Sequence, residues 1–252
     1  MSNKLVSIIT PAYCCAATIK NTYESIRNQT YTNWEWLITE DCSNDNTLDV
    51  LKSIVERDQR IKIFENDRNL GAAVSRNKSL LHATGQFIAF IDADDLWHHS
   101  KLQKQVSFME MNSVDFSFTA YEIIDESGSL IGKTVDTKHI EPLTYRDMLR
   151  KKATMGCSTV MLRREAFPKL SMPLIRTGQD YGLWLKLLKG GTKAYPINDI
   201  LTQYRILPDS ISRNKIKKAK RQWQIYREIE RISFFDALIC FYFYAWRAVF
   251  RK

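Results

Sequence analysis

Residues 61–95 read IKIFENDRNLGAAVSRNKSLLHATGQFIAFIDADD. An apolar run of strand length, IKIFE (61–65), meets a polar turn, then the amphipathic stretch AAVSRNKSLLHAT (72–84), then a second apolar run, QFIAFID (86–92). Strand, helix and strand within about thirty residues make the βαβ unit, two parallel strands joined by a crossover helix. The pattern extends back to the N-terminus through LVSIIT (5–10), ATIKNTYESIRNQ (17–29), WEWLIT (34–39) and NTLDVLKSIVERD (46–58). Apolar runs a helix length apart predict an α/β fold with a mostly parallel central sheet flanked by helices.

Ligands of such sheets sit outside the carboxyl ends of the strands. The first strand end gives Pro11, Ala12 and Tyr13, the second Glu40, Asp41, Cys42 and Ser43, and the fourth Asp92, Ala93, Asp94 and Asp95. Carboxylates gathered on one rim repel each other unless a cation or hydrogen-bond donors offset their charge. Two readings of residues 92–95 are open: a polar turn with an aspartate helix cap, or a site for a hard divalent cation, Mg²⁺ or Mn²⁺, that in turn holds a diphosphate. On the second reading Asp94 is the metal ligand.

Beyond residue 98 the periods mix. A helix (SKLQKQVSFMEM, 100–111), a hairpin (VDFSFTAYEIID and LIGKTV around ESGS), a helix (LTYRDMLRKK), a strand (STVMLR), a helix (DYGLWLKLLK) and a strand (ILTQYRIL) are expected in that order. This half should form a second wall of the same site.

The 252 residues, 44% hydrophobic and 26% charged, exclude disordered and fibrous classes. The net charge of +9 is concentrated in the tail: residues 1–212 hold 26 basic and 25 acidic side chains, residues 213–252 hold 11 and 3. Such a tail predicts an anionic partner. Five cysteines without a C-x-x-C pair fit a reduced, cytosolic protein, and the N-terminal apolar run falls short of the ~7 residues of a secretory signal.

Within the tail, KIKKAKRQWQIYREIER (215–231) is a basic helix candidate and ISFFDALICFYFYAWRAVFRK (232–252) an aromatic one. Its longest apolar stretch, residues 237–246, is about half the ~20 residues that span a bilayer. Aromatic side chains beside Lys and Arg suit the headgroup region of an anionic membrane; packing on the preceding domain or on a second copy is the alternative. The aromatic run is continuous rather than interleaved with charge, which disfavours nucleic acid.

Taken in order, VSIITPAY (6–13), SIRNQTYTNWEWLITEDCSNDNT (25–47), NLGAAVSRNKSL (69–80), GQFIAFIDADD (85–95), GQDYGLWLKLL (178–188) and YRILPDSIS (204–212) resemble the family 2 glycosyltransferases of the GT-A fold, over about residues 5–212. The resemblance implies that Pro11 and Tyr13 lie against a uracil ring and that Asp41 accepts from its imide. It also puts Arg76 on the nucleotide side, makes Asp92 and Asp94 the D-x-D pair with Asp94 at Mn²⁺ or Mg²⁺, and turns Asp92 and Asp95 toward sugar, ribose or metal. Asp180 becomes the general base that deprotonates the acceptor hydroxyl as UDP leaves, an in-line displacement that inverts the anomeric centre. The implied donor is a UDP-hexose, glucose or galactose. The implied acceptor is GlcNAc, GalNAc or a short oligosaccharide on an undecaprenyl-type lipid diphosphate, giving a β-linkage in O-antigen or capsule synthesis. Residues 1–98 would bind the nucleotide sugar, 99–212 the acceptor, and 213–252 the anionic inner face of the plasma membrane, from the cytoplasm. A non-catalytic UDP-sugar regulator or a basic polyanion-binding scaffold would need no base opposite a metal.

Plainer competitors stand beside several assignments. Asp180 could only cap a helix, Asp41 could only make an Asx-turn, His98 and His99 read as surface, and Arg163-Arg164 as solvated surface. The chain also departs from the family pattern: Cys14 stands where Asn is common, Glu40 where Asp is, Cys42 where Gly is, Gln179 where Glu is, and Leu207 where many relatives have a His near metal or diphosphate. No Q-x-x-R-W motif is present, which argues against a processive synthase.

Overall fold

The computed structural model describes residues 3–207 and 215–250; the expected boundary at 212–213 and the PDSIS end of the YRILPDSIS segment lie outside the described residues. Strands β1 (Val6–Ala12), β2 (Trp34–Glu40), β3 (Ile61–Glu65) and β4 (Phe87–Phe90) alternate with helices α1 (Ile19–Arg27), α2 (Thr47–Val55) and α3 (Ala72–Leu81). β1 pairs in parallel with β2 and β4, and β2 with β3, giving the order 3-2-1-4. Every residue of β2 is buried, which is why WEWLIT reads as a continuous apolar run: a parallel strand covered on both faces has no solvent side to alternate toward. α1 buries Ile19, Thr22, Tyr23 and Ile26, the spacing of one helical face.

The second half extends the same sheet through β5 (Leu96–Trp97), α4 (Lys101–Met111), β6 (Phe116–Ile124), β7 (Leu130–Val135), α5 (Tyr145–Leu149), β8 (Val160–Arg163), α6 (Gln179–Lys189) and β9 (Tyr195–Arg205). β8 lies antiparallel between β4 and β6, β9 runs parallel to β6, and β5 returns antiparallel on β9. The carboxyl ends of β1–β4, β6 and β9 therefore share one rim. β6 and β7 form the expected hairpin, and α5 opens with a Thr144–Asp147 capping box.

Three details differ from expectation. β5 is too short to leave an apolar run. Only residues 160–163 of STVMLR are strand, because Cys157–Thr159 make a 3-10 turn. β9 starts at Tyr195, and its register against β6 jumps from Thr119–Ile197 to Ala120–Ile200, so Asn198 and Asp199 bulge out.

The core has two layers. α1, α2 and α4 cover one face of the sheet; α3, α5, α6 and the C-terminal segment cover the other. That segment comprises α7 (Lys215–Gln224), a π-helical turn (Ile225–Ile229) and α8 (Phe234–Phe250). Ile225, Tyr226, Ala237 and Cys240 are buried in the core layer of α6. Arg221 Nε donates to Thr177 Oγ1 at 3.1 Å, and Lys189 pairs with Glu230 at 3.1 Å. The opposite face of α8 exposes Phe235, Leu238, Ile239, Tyr242 and Trp246. One side of the tail thus packs on the domain and the other is apolar and open. No described helix is long and apolar enough to cross a membrane.

Candidate active site

Where β4 ends, the chain turns and its three acids part company. Asp92 is half-buried; its N–H donates to Ser158 Oγ at 3.0 Å, and its carboxylate accepts from the Arg76 guanidinium. Asp94 is half-buried beside it, where burial and the Asp92 charge push its carboxyl up to about 6. Asp95 points inward: it is 1% exposed and accepts from Ser158 Oγ and from the Arg205 N–H, the latter at 2.9 Å. Burial and the charges of Asp94 and Asp92 raise its pKa well above the carboxylate range. The structure brings Asp92 and Asp94 to the rim and sets Asp95 beneath them as a tie between the Ser158 turn and β9.

Arg76 rises from the buried face of α3 at 4% exposure, and its Nε and Nη1 have no hydrogen-bond partner. Burial works against its charge, while the carboxylates of Asp92 and Asp180 nearby favour it. Asp180 lies in the first turn of α6. The N-cap is Gly178, at a left-handed φ of 72°, so Asp180 stands inside the first turn of the helix rather than at the N-cap position. Burial raises the Asp180 pKa while the Arg76 charge opposes the rise. One buried cation thus stands within electrostatic reach of both the D-x-D and Asp180.

On the other side of β1, Asp41 is 2% exposed and accepts from Asn66 Nδ2 (2.8 Å), Leu70 N (2.9 Å) and Gly71 N (2.7 Å). It ties the end of β2 to the turn before α3, where Gly71 adopts a φ of 88°. The local turn expected of Asp41 is made by Glu40, which accepts from the N–H groups of Cys42 and Ser43. Pro11 is half-buried and Tyr13 is 49% exposed on the rim. Cys14 and Cys42 have φ of 48° and 58°, the left-handed region that Asn and Gly enter with little strain, which gives physical content to both departures from the family pattern.

Asp92 and Asp94 offer hard oxygen donors whose mutual repulsion a cation would relieve, so the pair fits Mg²⁺ or Mn²⁺, ions that leave positions for phosphate and water. Among the described residues no group of three His, Cys, Asp or Glu side chains could hold a metal. Leu207 supplies no donor. His98 and His99 are exposed, as expected. Arg163 is not solvated surface: it pairs with Glu110 and Asp115, while Arg164 donates to Gly85 O, at the opposite end of β4 from the acids.

The sequence did not single out Ser158, Arg205 or Cys157. Ser158 holds both Asp92 and Asp95; Arg205 Nε donates to Asp94 O at 2.8 Å and Nη1 to the carbonyls of Asp125 and Glu126. Arg205 lies within YRILPDSIS, so a charged residue ending an apolar strand was its available signal.

The architecture is that of the GT-A glycosyltransferases. A mannosyltransferase from Pyrobaculum calidifontis, solved with GDP-Man and Mn²⁺, matches with a TM-score of 0.74 at 18% identity over 99% of this chain and 71% of its own. TarS of S. aureus, residues 1–349 with UDP-GlcNAc, matches with a TM-score of 0.72 at 17% identity over 97% and 73%. Residues 7–171 match the family described as Glycosyl transferase family 2, and the chain belongs to that family. It is 45% identical over 248 residues (98% of this chain, 97% of the relative) to TuaG of Bacillus subtilis (strain 168), provisionally named a teichuronic acid biosynthesis glycosyltransferase. It is 42% identical over 226 residues (89% and 86%) to WfgD of Escherichia coli, named a UDP-Glc:alpha-D-GlcNAc-diphosphoundecaprenol beta-1,3-glucosyltransferase.

Proposed function

We propose that this glycosyltransferase is inverting and metal-dependent, and moves glucose or galactose from UDP to a GlcNAc- or GalNAc-bearing, undecaprenyl-type lipid diphosphate, leaving a β-linkage in O-antigen or capsule-type polysaccharide synthesis. The observation that supports the reading is the buried Arg76, which pairs with Asp92 and lies within electrostatic reach of Asp180, a carboxylate of raised pKa. The name of WfgD supports glucose as donated sugar and a lipid diphosphate as acceptor.

On this reading the first 98 residues hold the donor. Pro11 and Tyr13 flank the uracil, and Asp41 Oδ2, which accepts one bond from Gly71, turns its remaining lone pair to the imide. Asp92 and Asp94 hold the divalent ion, which when bound offsets the charge developing on the leaving diphosphate. Asp95 acts through Ser158 and Arg205 to fix the backbone of the pair. Asp180 takes the acceptor hydroxyl's proton, and its raised pKa makes it a stronger base than a solvated aspartate. Residues 99–212 present the acceptor. The open apolar face of α8 rests on an anionic membrane, where the acceptor's lipid resides, so the enzyme works peripherally at the inner leaflet.

Calorimetric titration of UDP with Mn²⁺ and with EDTA, followed by a panel of UDP-sugars, tests the reading. Binding is expected only with metal, is lost in Asp94→Ala, and is tightest for the donor. Equal binding with EDTA, or none under either condition, overturns it.

A further inference from the structure

We propose that Cys14 and Cys42 form a thiol modification site on the rim beside Tyr13, which takes a small disulfide-type oxidant and shuts nucleotide binding for as long as the adduct persists. The nucleotide half of this statement rests on the function proposed above.

The register of β1 on β2 runs through Pro11–Thr39 and Ala12–Glu40, and the ladder continues with Asp41 N donating to Ala12 O at 2.8 Å. Two residues past the end of each strand come Cys14 and Cys42. The Cys14 N–H donates to Ser43 Oγ at 2.9 Å, which keeps the two loops side by side. Both thiols are exposed, whereas Cys15, Cys157 and Cys240 are buried. Tyr13, next to Cys14 in the chain, is 49% exposed on the same rim, and the Cys14 thiol donates to Asn44 Oδ1 at 3.0 Å. Two accessible nucleophiles therefore flank the one exposed aromatic residue assigned to the base.

Access and thiolate character select which cysteine reacts, and burial pushes the Cys15 thiol up to about 12 and Cys157 well above its usual range. The step is an exchange. A thiolate Sγ attacks one sulfur of the oxidant, the oxidant's S–S bond breaks as the protein–sulfur bond forms, and the other half leaves as a thiolate that takes up a proton. Excess thiol reverses it.

Glutathione disulfide is the probe, applied to the full chain and read by intact mass and peptide mapping. Adducts are expected on Cys14 and Cys42 and on none of the other three. UDP affinity in Mn²⁺ should then fall roughly tenfold or more and return with dithiothreitol, while Cys14→Ser/Cys42→Ser should show one affinity before and after treatment. Adducts confined to other cysteines, no adducts, or an unchanged UDP affinity with both thiols occupied would overturn the proposal. Failure of the untreated protein to bind UDP would sink the functional reading instead, and the adduct map would still decide whether the thiol site exists.

Discussion

Lys101 opens α4 at 0% exposure, with Nζ donating to Gln105 Oε1 at 2.5 Å and lying 4.4 Å from the centre of the Trp97 ring. Among the described residues no acid pairs with it, and burial pushes the ammonium down from 10.5 to about 7. The unfolded chain takes up this proton near pH 10.5 and the native protein only near 7, so between those values the unfolded state binds more protons. Stability therefore rises with pH across that window, by up to ~1.4 kcal/mol per pH unit, and the cost is fully present below about pH 7. At pH 7 the buried lysine costs about 4 kcal/mol, and at pH 9 about 2 kcal/mol.

Lys101→Met keeps the packing of the stem and removes the titration, but leaves the Gln105 oxygen without its donor, a loss of roughly 1–2 kcal/mol. The variant should be more stable than wild type by about 2–3 kcal/mol at pH 7, with about 2 kcal/mol of that gap closing by pH 9. Urea unfolding at both pH values, with unchanged m, reads this directly. A difference that is the same at pH 7 and pH 9, or a wild type that is the more stable at pH 7, refutes the account of a charge buried without an acid.

Asp180→Asn should lower sugar transfer by roughly a hundredfold or more while leaving UDP binding in place; transfer within about tenfold of wild type would remove Asp180 as the base. Cys42→Gly relieves a left-handed φ of 58° and should raise stability by about 1 kcal/mol, seen as a higher Tm. Leu238→Ser/Ile239→Ser alters exposed apolar side chains of α8. It should cut sedimentation with anionic vesicles at an unchanged Tm, and undiminished sedimentation would detach that face from the membrane claim.

The first half of the fold was legible because its information is local. β1 to β4 and the helices between them are contiguous runs, and the parallel sheet follows from their alternation. The site was legible to the extent that it hangs from those strand ends. Nothing in the string Asp92-Ala93-Asp94-Asp95 tells which acid faces out. That is decided by contacts far along the chain, Ser158 to Asp95 and Arg205 to Asp95, which turn the last acid inward and leave the first two on the rim. Ser158 was hidden for the same reason: it reads as the start of a strand and acts as the clamp of a turn. In the tail, apolar residues surround the helix so continuously that periodicity could not separate the side buried with Ala237 and Cys240 from the side bearing Ile239 and Trp246.

Arg76 shows how these parts constrain one another. Desolvation raises the proton affinity of Asp180, and the guanidinium is the largest effect opposing that rise. Arg76→Gln deletes the opposing charge, so the Asp180 pKa should climb further and the acid limb of the kcat profile should move to higher pH. Asp92 loses its partner in the same variant, but its side chain is 30% exposed and water can take over. Arg76→Lys separates charge from shape: an ammonium in the same pocket should hold the limb near its wild-type position even if kcat falls through poorer geometry. An acid limb that stays in place in Arg76→Gln, with Tm showing the variant folded, would mean that the base is set by something other than the cation between the two acids.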